Sequence, residues 1–238
     1  MPTISRRLIA EGVGTAFLLA AIVGSGIMAE RLSGGNVALA LLCNSTATGA
    51  ILVVLIAVFG QTSGAHLNPT VTLAFAVKGE IGTALAIGYV VAQVVGAVVG
   101  TWAAHVMFDE HVLQVSTKAR AGPGLWLAEA LATFGLILTI FGTRRWKAEM
   151  VPLTVGLYIA SAYWFTASTS FANPAVTIAR TITNNSAGIQ PAHAPAFIVS
   201  QVIGALASTL FCWFIFDRVS ERRALEPSRP ELDNEYNR

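Results

Sequence analysis

Apolar residues run along the chain in blocks of about twenty, the length a helix needs to cross a bilayer. They do not form the one-sided stripe of an amphipathic helix on a soluble domain. The pattern predicts six spans, over residues 8–29, 36–59, 81–107, 125–141, 151–165 and 195–216. Blocks of this kind read as transmembrane helices, because only a helix satisfies its own backbone in lipid. The first block is too long for the apolar core of a signal peptide and lacks a clear cleavage site, so it is expected to remain as a span.

Two apolar pieces, residues 68–77 and 173–181, are left over. A helix of ten residues is roughly 15 Å long, half the hydrocarbon thickness, so neither crosses alone. Both begin Asn-Pro. Asn is a strong N-cap and Pro suits the first helical position, so each reads as a half-helix with a defined start. The stretches before them, GQTSGAH (60–66) and TASTSFA (166–172), are small and polar and are expected to be extended backbone. Such backbone is tolerated at membrane depth only when buried in protein or facing water. The chain is therefore expected to enclose a pore or a site.

The chain also repeats itself. NPTVTLAF (68–75) and NPAVTIAR (173–180) agree at five of eight positions. QVVGAVVGT (93–101) returns as QVIGALAST (201–209), and AEGVGT (10–15) as AEALAT (128–133). Each half contains three spans and a half-helix. An odd number of spans sets the second half upside down, giving inverted repeats over 1–115 and 116–220, followed by a polar tail at 221–238. With both termini cytoplasmic, the inner side carries 11 Lys and Arg residues and the outer side 4. The positive-inside rule favours that orientation, in an inner (plasma) membrane.

In such a repeat the two half-helix N-termini meet near the bilayer centre, each with an effective charge of about +0.5. That barrier repels cations and admits neutral solutes. The amides of Asn68 and Asn173 can donate into the lumen while their oxygens are held by backbone N–H groups.

With these residues in view, nearly the whole chain, about 5–217, resembles the aquaporin and aquaglyceroporin family. SGAHLNPTVT (63–72) and NPAVT (173–177) are similar to its two signatures. The resemblance implies an all-α membrane protein of six transmembrane helices and two re-entrant half-helices. It also implies a homotetramer, one pore per subunit and passive flow of water and small neutral solutes, in a bacterial member with an atypical filter. At the pore centre it places Asn68, Pro69 and Thr70 with Asn173, Pro174 and Ala175. Thr70 departs from the usual alanine, and a small effect is expected. The matching glutamates of the family hold the re-entrant backbone, which is the role expected here for Glu11 and Glu129. His66 and Phe75 are expected along the inner passage, and Gln93 and Gln201 as interhelical hydrogen-bond partners. Gly96 and Gly100 form a small-residue face for close helix packing.

The family's constriction lies toward the outside of the two asparagines. Its positions fall on Thr48, Ser170 and Val176, with Ser161 on the fifth span and Ala160 or Ala162 as alternatives for that register. The family usually carries Arg where this chain has Val176. A small, uncharged set implies a wider opening without the five donors of a guanidinium. Glycerol, urea and undissociated metalloid acids such as arsenous acid become candidate solutes. Arg180, one turn beyond Val176, either reaches the outer vestibule or snorkels to the interface.

Other classes are weighed against this one. A strict water channel, a conductor of anionic acids, a coupled secondary transporter and a structural membrane protein remain alternatives. No metal cluster, nucleophile–base set or phosphate loop is visible, so neither an enzyme nor a metal or cofactor site is expected. A net charge of +2 gives no support to nucleic-acid binding. Cys43 and Cys212 both lie in apolar blocks and read as small core residues.

Overall fold

The computed structural model describes residues 2–217; the tail expected at 221–238 lies outside the described residues. The described chain is helical: α1 (Ile4–Leu32), α2 (Val37–Ser63), α3 (Pro69–Val77), α4 (Thr83–Met107), α5 (Pro123–Trp146), α6 (Val151–Phe165), α7 (Pro174–Ala179) and α8 (Ala194–Cys212). Local chemistry sets several starts. Thr3 and Asn36 cap α1 and α2 through their side chains, and prolines open α5 and α6. Five helices are long and apolar enough to cross a membrane. The sixth span is α6, whose 15 residues cover roughly 22 Å. A single 3-10 turn, Ala148–Met150, lengthens it at its start.

Within each half the first and last long helices pack together, α1 on α4 and α5 on α8, while α2 on α6 joins the halves. The backbones come very close. A Cβ on Gly96 or Gly100 would collide with the Gly12 or Ala16 carbonyl, and one on Gly204 with the Ala130 carbonyl. Small residues at those points let the helices touch backbone to backbone, where dispersion and Cα–H···O contacts replace side-chain packing. The outward faces remain apolar and exposed, as at Val91, Val95 and Val99 of α4. That is the arrangement expected of a surface whose solvent is lipid. Cys212 is buried as expected, but Cys43, expected in the core, is exposed on α2, and the two are not joined.

The segments before the half-helices differ from the expected extended backbone. Helix α2 continues through Ser63, so residues 60–63 are its last turn, closed by Gly64 at φ 90°. Beyond it, Ala65 (φ 47°) and Leu67 (φ 50°) are left-handed. So are Thr169 (φ 63°), Ser170 (φ 48°) and Ala172 (φ 47°) in the second half. In each loop two adjacent left-handed residues, 64–65 and 169–170, are followed by a third two positions on, so the chain turns instead of running straight. Non-glycine residues persist there only where their surroundings hold them.

Candidate functional site

What holds those left-handed turns is a pair of buried glutamates. Glu11 on α1 accepts from the Ser63 hydroxyl (2.6 Å), the His66 and Leu67 backbone N–H groups (2.9 and 2.7 Å) and Gln93 Nε2 (2.8 Å). Glu129 on α5 accepts from the Phe171 and Ala172 N–H groups (both 2.9 Å) and Gln201 Nε2 (2.6 Å). Each glutamine also donates into its half-helix: Gln93 to the Thr72 hydroxyl (3.0 Å) and Gln201 to the Thr177 hydroxyl (2.8 Å). A carboxylate that is fully buried is costly unless its oxygens are filled with donors, and here they are. Both glutamates are thereby spent on architecture.

The half-helices α3 and α7 meet tip to tip. Asn68 caps α3, with its Oδ1 accepting from the Thr70 N–H (2.9 Å) and the Thr70 hydroxyl (2.8 Å). Asn173 caps α7, with its Oδ1 accepting from the Ala175 and Val176 N–H groups (3.0 and 3.3 Å). The amide nitrogens cross over. Asn68 Nδ2 donates to the Ala172 carbonyl and Asn173 Nδ2 to the Leu67 carbonyl, both at 2.8 Å. One N–H of each amide is therefore occupied in stapling the tips together. The second N–H of each is the donor left for the lumen. Pro69 and Pro174 open the two helices, and Thr70 and Ala175 follow in the first turn.

A cavity of about 760 Å³ runs past this junction. Asn68 and Asn173 both lie on its wall. Toward one end it is bounded by His66, Phe75, Arg144 and Glu149. The His66 ring sits 4.5 Å from the Phe75 ring, and its Nδ1 lies 3.1 Å from the Thr72 hydroxyl. The Arg144 guanidinium lies 5.0 Å above the same Phe75 ring and pairs with Glu80 at 2.5 Å.

Toward the other end the wall carries Thr48, Tyr163, Ser170, Val176 and Arg180. Ser161 is not among them. It lies exposed on the outer face of α6, with its hydroxyl returned to the Tyr158 carbonyl. The fifth-span position is Tyr163, whose hydroxyl is 3.3 Å from the Thr48 hydroxyl. The two positions are about 200° apart around a helix, so a two-residue error in register turns the wall side outward. Nor does either alternative reach the cavity: Ala160 packs toward Gly49 of α2, and Ala162 is buried with its carbonyl taken by Thr166. Counting twelve residues back from Asn173 lands on Ser161, whereas the loop that ends at Asn173 brings Tyr163, ten residues back, to the wall. Phe171 and Arg120 were also missed, because only the folded loops bring them beside Arg180.

Two half-helices joined by crossed asparagine amides beside one continuous cavity, in a chain of apolar helices, narrow the possibilities to one architecture. The sequence pattern described as Major intrinsic protein matches residues 1–171 and 146–232. The chain belongs to that family. Members of this family are passive channels, not enzymes, and this one is an integral, multi-pass membrane protein. Among its relatives is the aquaglyceroporin AqpS of Rhizobium meliloti (strain 1021), 50% identical over 95% of this chain and 93% of the relative. The lens fiber major intrinsic protein of Bos taurus is 32% identical over 79% of this chain and 76% of its own length. The solved structure of the aquaglyceroporin from Plasmodium falciparum shares the fold, with a TM-score of 0.72, 20% identity, and coverage of 92% of this chain and 100% of that one.

Proposed function

We propose that this channel conducts small uncharged solutes larger than water, glycerol and urea among them, with undissociated metalloid acids such as arsenous acid in the same size class. The observation that carries this reading is the outer end of the cavity. Val176 stands there in place of a guanidinium, beside the hydroxyls of Thr48, Tyr163 and Ser170. Those groups offer donors and acceptors to a hydroxylated solute, and no side chain as long as arginine projects from position 176. The name of the 50% identical relative, an aquaglyceroporin, points the same way.

In this reading the crossed amides of Asn68 and Asn173 hand the solute from one half-helix to the other. The two halves, 1–115 and 116–220, act as inverted repeats. The protein works as a homotetramer in the inner (plasma) membrane, with both termini cytoplasmic. A coupled transporter is disfavoured, because Glu11 and Glu129, the carboxylates such coupling would use, already accept from the re-entrant loops.

Stopped-flow light scattering on proteoliposomes tests the proposal. Water, glycerol, urea and arsenous acid are compared as the osmolyte. Permeability to at least one solute larger than water is expected. Flux of water alone, or flux that follows a sodium or proton gradient, would replace this reading with one of its alternatives.

A further inference from the structure

We infer that Arg180 is the charge-selecting residue of the conduit, delivered to the lumen by a stack on Phe171, and that with Ser170 it forms a subsite for an oxygen acceptor on the solute. This deepens the channel reading and rests on it. Position 176 holds valine, so the wall there presents no fixed charge. One turn farther along, Arg180 is only 2% exposed and lines the same cavity. A snorkelling side chain would lie in the interface, not in this enclosure.

The guanidinium is seated, not loose. Its Cζ lies over the Phe171 ring, 3.5 Å from the ring centre. Its Nε donates to the Ala187 carbonyl. On Phe171, Arg120 makes the matching contact at 5.1 Å. Arg120 spends its donors on loop carbonyls: Gly188 (2.8 Å), Ser168 (3.2 Å) and Ser186 (2.8 Å). Arg120 therefore holds the ring and the outer loops, and is a positioning residue.

Arg180 differs in having a donor to spare. Its Nη1 has no hydrogen-bond partner among the described residues, and neither has the hydroxyl of Ser170. Buried donors of this kind are rarely left unpaired. Both atoms are buried, and both belong to side chains that line one cavity, where a passing solute can supply the acceptor they lack. The ion pairs among the described residues, Arg31 with Glu110 and Arg144 with Glu80, leave the Arg180 charge uncompensated. An uncompensated guanidinium beside a widened bore repels sodium and potassium while it attracts carbonyl and hydroxyl oxygens of neutral solutes.

Intact protein in proteoliposomes tests this, with glycerol flux followed by light scattering and sodium entry by an entrapped fluorescent indicator. Arg180→Gln keeps donors and removes the charge. It is expected to raise sodium entry at least tenfold and to lower glycerol flux, since the subsite loses its guanidinium, whereas Arg180→Lys keeps sodium excluded. Adding Val176→Arg to Arg180→Gln restores exclusion from the neighbouring position. Unchanged sodium entry in Arg180→Gln, in vesicles that still pass water, overturns the assignment. Should that variant fail to assemble, Arg120→Gln carries the test: loosening the Phe171 stack raises sodium entry, and wild-type exclusion in that variant overturns the assignment. Wild-type vesicles that pass neither water nor glycerol would instead overturn the channel reading beneath it.

Discussion

The Thr48 and Tyr163 hydroxyls lie 3.3 Å apart on the cavity wall, joining α2 of the first half to α6 of the second. The pair links the two helices at this level, beside the close backbone approach of Gly49 and Gly156. Tyr163→Phe removes one hydroxyl and keeps the ring, and is expected to cost about 1 kcal/mol of stability with little change in solute size limit. Tyr163→Ala removes the ring itself. Urea and glycerol permeability should then rise, and a four-carbon polyol should enter. Ser161→Ala, on the exposed face two residues away, should leave the solute ranking as it is. A proteoliposome swelling series over solutes of increasing size checks all three.

Glu11 receives four donors and Glu129 three, and both anchor left-handed turns that have no glycine at the strained positions. Replacing either by Gln turns one oxygen into an NH₂ group facing other donors. Loss of a charge-assisted bond together with an unpaired buried group should cost about 3 kcal/mol. Thermal unfolding of the purified protein in detergent should show a large drop in midpoint for both variants. If Glu11→Gln unfolded at the wild-type midpoint, the bracing role of the carboxylate would be lost.

Much of this was legible in the chain because it is carried by local rules. Apolar block length foretold the helices, and Asn followed by Pro foretold the capped starts of α3 and α7. What was not legible depends on backbone that follows no period. Residues 166–172 coil through three left-handed positions, so no count of residues could give the register of α6, and Ser161 was placed where Tyr163 stands. The same holds for Arg120. It lies 60 residues before Arg180 in the chain, and the two come together on the ring of Phe171. The last turn of α2 ran on through Ser63 because the capping glycine, Gly64, stands four residues beyond Gly60, whose carbonyl its N–H reaches.

Val176→Arg tests whether the width at the outer end sets the solute range. Arginine is longer than valine and brings five donors in a rigid fork. Val176 is 3% exposed on the cavity wall, so the new side chain has little room except the lumen. Glycerol permeability is expected to fall by about tenfold or more while water still passes, since a narrowed, donor-lined opening excludes by size first. The ratio of glycerol to water permeability, measured in the same vesicles, is the readout. An unchanged ratio would put the narrowest point elsewhere along the cavity.

Thr70 tests how much the first half-helix depends on its own cap. Asn68 Oδ1 accepts from the Thr70 N–H and hydroxyl, whereas Asn173 Oδ1 accepts from two backbone N–H groups, those of Ala175 and Val176. In Thr70→Ala the oxygen loses its hydroxyl donor, but the N–H of the following residue, Val71, can take its place as Val176 does in the second half. The crossed bond from Asn68 Nδ2 to the Ala172 carbonyl does not involve Thr70 at all. The expected cost is therefore about 1 kcal/mol or less in stability, with glycerol and water flux unchanged. Unfolding midpoints and swelling rates of Thr70→Ala and Thr70→Ser, compared with wild type, check this. A collapse of flux in Thr70→Ala that Thr70→Ser restores would mean that the hydroxyl, and not the backbone, aims the Asn68 amide at the lumen.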